Sequence, residues 1–228
     1  MPPQPQKPQA PLILLITSGE TTVQTTPATE DFSSILRLVE AAVAAKIDLL
    51  QIREKRLRVN VLHELSASAA KITRGSATRL LINDRSDIAF AVGADGVHLT
   101  TQSLPADVVR RTFGDDFLIG ASTHSLEEAE GARTSGADFV VFGPVFNTPN
   151  KRQYVEPQGL GSLEKVASAL SPFPVLALGG VMTGNVAECI QAGARGIAGI
   201  RMFNDPPRVQ QVVNEIRAAF EKTTRVTR

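Results

Sequence analysis

Short apolar runs alternate with amphipathic stretches along nearly the whole chain. The runs are Leu12–Ile16, Ile47–Ile52, Arg79–Ile82, Gly96–Leu99, Phe117–Ala121, Phe139–Phe142, Val175–Leu178 and Ile197–Ile200. None is long enough to show a helical period, so each predicts a strand buried on both faces. Between them apolar positions recur at helical spacing, as in Ile35, Leu38, Val39, Ala42 and Val43, then Leu62, Leu65, Ala69 and Ile72. Strict alternation of strand and helix implies a parallel sheet with helices outside it.

A weak internal repeat favours closure of that sheet into a ring. The segments A-V-G-A-D-G-V from Ala91, S-G-A-D-F-V from Ser135 and A-G-A-R-G-I from Ala192 share one pattern, and Ala44 to Asp48 is a degenerate fourth copy. Each glycine suits a left-handed position at a helix C-terminus, followed by a short loop and the next strand. The expected fold is an α/β (βα)8 TIM barrel, a single domain over residues 12–222, with an open doubly wound sheet as the alternative. Residues 1–11, rich in Pro and Gln, are expected to form a disordered tail, and residues 223–228 a C-terminal tail.

Composition narrows the partners. Lys and Arg number 24 against 23 Asp and Glu, so no global field recruits nucleic acid or an acidic membrane surface. No apolar run approaches membrane-span length and no signal-peptide order is present. The one cysteine, Cys189, cannot form an internal disulfide, which predicts a reducing, cytoplasmic setting. A homo-oligomer is compatible with the chain. Any charged ligand must be met by local groups.

Those local groups gather after the predicted strands, where the chemistry of α/β folds sits. The run I-D-L-L-Q-I-R-E-K-R from Ile47 turns abruptly from apolar to charged. Gln51, Arg53 and Lys55, two apart, share a face and are aimed at a multiply charged anion, unless they pair locally with Glu54. Asn83 and Asp84 follow the third strand, with Asp84 either a rim group or a helix cap. Ser122 and His124 follow the fifth, ahead of a capping box from Ser125 to Glu128. His124 is either a packed rim histidine or a proton donor and acceptor near neutral pH, whereas His98 and His63 look structural. Gly179 and Gly180 permit close backbone approach after strand seven, where barrels hold phosphate. Thr17 to Glu30, a Thr-rich stretch, is a lid or simply surface. Asn147 to Gln158, with two prolines among polar and basic residues, is expected to close over a bound phosphate.

Q-I-R-E-K at Gln51–Lys55, I-N-D-R-S-D-I-A at Ile82–Ala89, A-V-G-A-D-G-V-H-L at Ala91–Leu99, I-G-A-S-T-H-S-L-E-E at Ile119–Glu128, G-A-D-F-V-V-F-G-P-V-F at Gly136–Phe146 and L-G-G-V at Leu178–Val181 together resemble the thiamine phosphate synthase / TenI superfamily. The likeness runs in order from about Leu12 to Phe220. It implies phosphorylated small-molecule substrates and one of two activities. One is a synthase joining hydroxymethylpyrimidine pyrophosphate to thiazole phosphate with Mg²⁺. The other is a thiazole tautomerase that needs no metal, and a non-catalytic phosphate-binding regulatory barrel is a third reading.

By position, the resemblance implies that Arg53, Lys55, Asn83 and Lys151 hold pyrophosphate and that Asp84 holds Mg²⁺. Gln51 and Ser122 would face the pyrimidine. Backbone at Gly179 and Gly180 and after Ile200 would take the thiazole phosphate, with Thr148 nearby, and His124 would serve the tautomerase branch. Three departures stand out. Thr100 to Ser103 replaces a stretch that carries a second acidic metal ligand. Thr148 to Lys151 reads T-P-N-K where T-x-T-K is common. Arg201 stands where a serine follows the last strand, and its planar fork suits phosphate.

Overall fold

A computed structural model describes residues 10–147 and 156–226 of the chain. The candidate site residues Thr148 and Lys151, most of the expected closing segment and most of the N-terminal tail therefore lie outside the described residues. Strands β1 (Leu12–Ile16), β2 (Leu49–Ile52), β3 (Arg79–Asn83), β4 (Gly96–Leu99), β5 (Leu118–Thr123), β6 (Phe139–Phe142), β7 (Val175–Ala177) and β8 (Gly196–Gly199) form a closed parallel barrel in chain order. Helices α1 (Glu30–Ala44), α2 (Val59–Thr73), α3 (Ser86–Val92), α4 (Ala106–Phe113), α5 (Leu126–Thr134), α6 (Gly159–Leu170), α7 (Val186–Gln191) and α8 (Val209–Val226) follow them in turn. Pairing of β1 with β8, Leu14 opposite Ala198, closes the ring and removes the doubly wound alternative.

The repeat has a physical function at the lower rim. At its four copies the residue in the left-handed region is Lys46, Gly93, Gly136 or Gly193. Each time that residue and the next one bond back to the last turn of the helix, as in Gly93 N–H to Phe90 O at 3.2 Å and Ala94 N–H to Ala89 O at 2.9 Å. This double bond satisfies carbonyls that the helix end leaves open. The aspartate two places after the turn residue then accepts from the preceding strand. Asp48 takes the Ile13 N–H at 2.9 Å, Asp95 that of Leu80 and Asp138 that of Ile119, both at 2.7 Å. Burial pushes the Asp48 carboxyl up, against the Ile13 N–H that favours its charged form.

Two element boundaries differ from the predicted ones. Ile47 and Asp48 belong to the turn, so β2 begins at Leu49 rather than Ile47. At the other end, α8 continues to Val226, past the expected boundary at 222, and begins at Val209 after a 3-10 turn over Pro206–Arg208.

Strand residues alternate between two cores, as a barrel requires. Ile13, Leu15, Leu50 and Ile52 pack outward against the helices, while Leu14, Ile16, Leu49, Leu81, Phe139, Val141, Leu176 and Ala198 fill the interior. On α1, Phe32, Ile35, Leu38, Val39 and Ala42 form the buried stripe that the spacing predicts. The interior packing stops short of the upper rim, where the inward positions become polar on one side.

Candidate active site at the carboxyl ends of the strands

Arg53, Asp84, His124 and Gly180 all lie beyond the carboxyl ends of their strands, and a closed parallel barrel puts those ends on one rim. A cavity of about 290 Å³ opens there. Gln51, Asn83, His98 and Ser122 line one side, with Arg53, Lys55 and His124 around them. Ile16, Val141, Leu178 and Ile200 line the other. A larger and more open hollow of about 660 Å³ between α2 and α3, bordered by Val59, His63 and Arg85, lies on the outside of the barrel. The smaller cavity combines an apolar wall with convergent polar groups, which is the usual form of a ligand site.

Alternation along β2 sends Gln51, Arg53 and Lys55 to the cavity and Glu54 away from it. Glu54 is 3% exposed and accepts from Thr17 Oγ1 and Thr21 Oγ1, each at 2.6 Å, and from the Gly19 and Thr21 amides at 3.1 and 3.4 Å. The expected alternative, local pairing of the cations with Glu54, is therefore not realised. Among the described residues no ion pair involves Arg53 or Lys55. Thr17 and Thr21, from the Thr-rich stretch after β1, are the hydroxyl ligands of this buried carboxylate, and both are buried. Nothing in local patterning marked those threonines, because their partner lies more than thirty residues away in the chain.

Gln51 Nε2 donates to Asn83 Oδ1 at 2.9 Å, and Gln51 Oε1 is buried without a partner among the described residues. Beside them Asp84 is exposed and held at φ 65, with its N–H donated to His98 O at 2.9 Å. Helix α3 starts at Ser86 with Arg85 at the cap position and no side-chain cap bond, so Asp84 is a rim carboxylate and not a cap.

His98, expected to be structural, stands in the cavity wall and its Nε2 lies 2.9 Å from Ser122 Oγ. Burial, and then the nearby Arg53 charge, push its pKa down to about 4, so the imidazole is neutral at ordinary pH. The alternation was the available signal. Asn83 pairs in register with His98, so the two side chains share a face. His124 has its Nδ1 against Gly143 O, and its N–H donates to Glu128 Oε2 at 2.6 Å. Ser125 Oγ accepts from Glu128 N–H at 3.1 Å, so the capping box also fixes the backbone of His124.

Gly179 and Gly180 both have positive φ, 93 and 66. A Cβ at Gly179 would lie 2.5 Å from Pro144 Cα, and one at Gly180 would lie 2.7 Å from Asn147 O. Their smallness brings the loop after β6 onto the loop after β7, where Phe146 N–H bonds Gly179 O at 2.9 Å. Arg201, which opens a 3-10 turn over Arg201–Phe203, is exposed and stands outside the cavity lining, with no ion pair to Asp205. Cys189 is buried and its thiol is pushed up to about 12 by burial, which makes it a poor nucleophile.

The donor set fits Mg²⁺ only in its sparsest form. Among the described residues no cluster of three or more His, Cys, Asp or Glu could hold a metal. Ser103 is committed to a turn, its Oγ accepting from Thr100 N–H at 2.7 Å. Asp84 remains as one exposed carboxylate beside the cavity, and Mg²⁺ commonly binds through one carboxylate, its own waters and substrate phosphates.

The chain is similar to known proteins over most of its length. A putative thiamine-phosphate synthase of Geobacter sulfurreducens is 41% identical over 191 residues, which cover 84% of this chain and 89% of that protein. The thiamine-phosphate synthase of Pelotomaculum thermopropionicum is 35% identical over 189 residues, covering 83% and 86%. Among solved structures, the thiamine phosphate pyrophosphorylase of Pyrococcus furiosus superposes with a TM-score of 0.74 at 28% identity, over 92% of this chain and 96% of that one. With residues 23–203 matching the family described as thiamine monophosphate synthase, the chain belongs to that family.

Proposed function

We propose that the protein is a thiamine phosphate synthase, joining hydroxymethylpyrimidine pyrophosphate to thiazole phosphate with release of pyrophosphate. The observation that carries this reading is the pair of cations, Arg53 and Lys55, without carboxylate partners among the described residues, beside a cavity that is polar on one wall and apolar on the other. Relatives named as synthases support the same branch.

In this reading the carbon–oxygen bond to pyrophosphate breaks first and its electron pair leaves with the oxygen. Negative charge grows on the leaving group, and Arg53 and Lys55, joined by Asn83 and Lys151, stabilise it. The positive charge left on the methylene carbon spreads into the pyrimidine. Gln51 and Ser122 orient that ring, while Ile16, Leu178 and Ile200 keep out water that would trap the cation. The thiazole nitrogen then donates its lone pair to the carbon. Amides at Gly179 and Gly180, with Thr148 and Arg201, hold the thiazole phosphate in line for that attack.

Asp84 would hold Mg²⁺, which when bound neutralises part of the pyrophosphate charge. His124, fixed by Gly143 O and Glu128, lies against the cavity as an orienting group. A free buried thiol and helices too short or too polar to cross a membrane, among the described residues, agree with a cytoplasmic enzyme. The test is an assay for thiamine phosphate from both substrates, with and without Mg²⁺. Product that requires both substrates supports the reading. Turnover of the thiazole tautomer alone, without metal, overturns it in favour of the tautomerase.

A further inference from the structure

The buried imidazole of His98 has two nitrogens in unlike surroundings. Nε2 lies 2.9 Å from Ser122 Oγ. Nδ1 has no hydrogen-bond partner among the described residues and faces Gly120, where an added Cβ would come within 2.7 Å of it. The Phe139 ring closes the same side, its centroid 6.0 Å from that of the imidazole. A neutral imidazole carries one N–H, so two arrangements are open. With the proton on Nδ1, a donor is buried against carbon and the Ser122 hydroxyl proton is used up on Nε2. With the proton on Nε2, the buried atom without a partner is an acceptor, and orphaned buried donors are the rarer of the two.

We propose that His98 is a positioning residue for Ser122, donating its Nε2–H to the serine oxygen and so turning the Ser122 hydroxyl proton into the cavity toward an acceptor on the bound ring. The wall then has a fixed polarity. Gln51 offers a buried acceptor through Oε1, and Ser122 offers a donor. A ring with the reverse order of donor and acceptor would leave both groups unpaired, which costs far more than a lost contact in water. Gly120 belongs to the same device, since any larger residue would push the imidazole from its seat. Naming the ring as the pyrimidine rests on the synthase reading, whereas the tautomer itself does not.

Nitrogen-15 spectra of the histidine-labelled protein, without substrate, read the tautomer directly. We expect one buried imidazole with Nε2 protonated and Nδ1 bare, assigned to His98 by its loss in His98→Gln. Protonation on Nδ1, or on both nitrogens, overturns the proposal whatever the enzyme does. Kinetics of His98→Phe, His98→Gln, Ser122→Ala and the double variant His98→Phe/Ser122→Ala then test the coupling. His98→Phe should lower kcat/KM for the pyrimidine pyrophosphate by about tenfold or more, on the scale of one hydrogen bond, and leave KM for thiazole phosphate unchanged. His98→Gln, which keeps a donor, should restore most of the loss. In the Ser122→Ala background His98→Phe should have little further effect, and multiplicative losses would overturn the coupling. Thermal unfolding of the two His98 variants separates the alternatives, because a packing role would follow stability and not the presence of a donor.

Discussion

The Thr17 hydroxyl donates to Glu54 Oε1 at 2.6 Å while its oxygen accepts the Arg53 N–H at 2.8 Å. One buried side chain therefore ties the loop after β1 both to Arg53 of the cation pair and to the carboxylate that follows it. Glu54 in turn is the acceptor for three further donors from Gly19 and Thr21.

Glu54→Gln should expose the importance of that clasp. The amide keeps one acceptor but turns an NH2 toward donors that cannot all rotate away, notably the Gly19 and Thr21 amides. A buried charged acceptor contributes about 2 kcal/mol, which for a chain of this size lowers Tm by roughly 4–8 °C. KM for the pyrophosphate substrate should rise, because Arg53 loses its fixed backbone. Unchanged Tm by calorimetry would show that the loop is held by something else.

Gly180→Ala should disable the enzyme without unfolding it. The left-handed conformation costs an alanine about 1–2 kcal/mol, and its Cβ would press on Phe146 and Asn147 O. The loops after β6 and β7 must separate, which removes amides proposed to hold the thiazole phosphate. The expected result is a rise in KM for thiazole phosphate larger than that for the pyrimidine pyrophosphate, and equal rises would count against the assignment.

Ser103→Asp should lower the Mg²⁺ concentration needed for turnover. Aspartate can accept from the Thr100 N–H as Ser103 does, so the turn survives, and a second carboxylate joins Asp84 near the substrate phosphates. A titration of activity against Mg²⁺ with no leftward shift would remove that loop from the metal site. Arg201→Ala, by the companion argument, should weaken thiazole phosphate binding by roughly 1.5–3 kcal/mol. Unchanged affinity by calorimetry would leave the arginine as a surface residue only.

Stability should fall in mild acid because of His98. Its folded pKa, about 4, is below the ordinary value of 6.5. Between those values the unfolded chain takes up a proton that the folded one does not, so lowering pH through this window favours unfolding. The contribution is on the order of 3 kcal/mol when the window has been crossed, and it is fully retained above pH 6.5. Denaturant unfolding from pH 7 to pH 4 should show a slope that His98→Gln flattens. An identical slope in the variant would place the acid sensitivity elsewhere, although the raised Asp48 works in the opposite sense.

What the chain determined on its own was the barrel and its working rim. Eight apolar runs separated by amphipathic stretches admit few topologies, and the repeat at Gly93, Gly136 and Gly193 named the turns by their need for positive φ. Chemistry placed after strands came out on one rim because parallel strands allow no other outcome. Tertiary structure alone decided which charges are free and which are spent. Glu54 and Lys55 are neighbours in sequence, yet one is buried under threonines from another loop and the other is exposed. His98, expected to be structural in an apolar strand, became part of the wall because its partner Ser122 arrives from the next strand. Sequence patterns report periodicity, which is local. Hydrogen-bond partners and desolvation depend on what the closed ring brings near, and that is set only once the ring has closed.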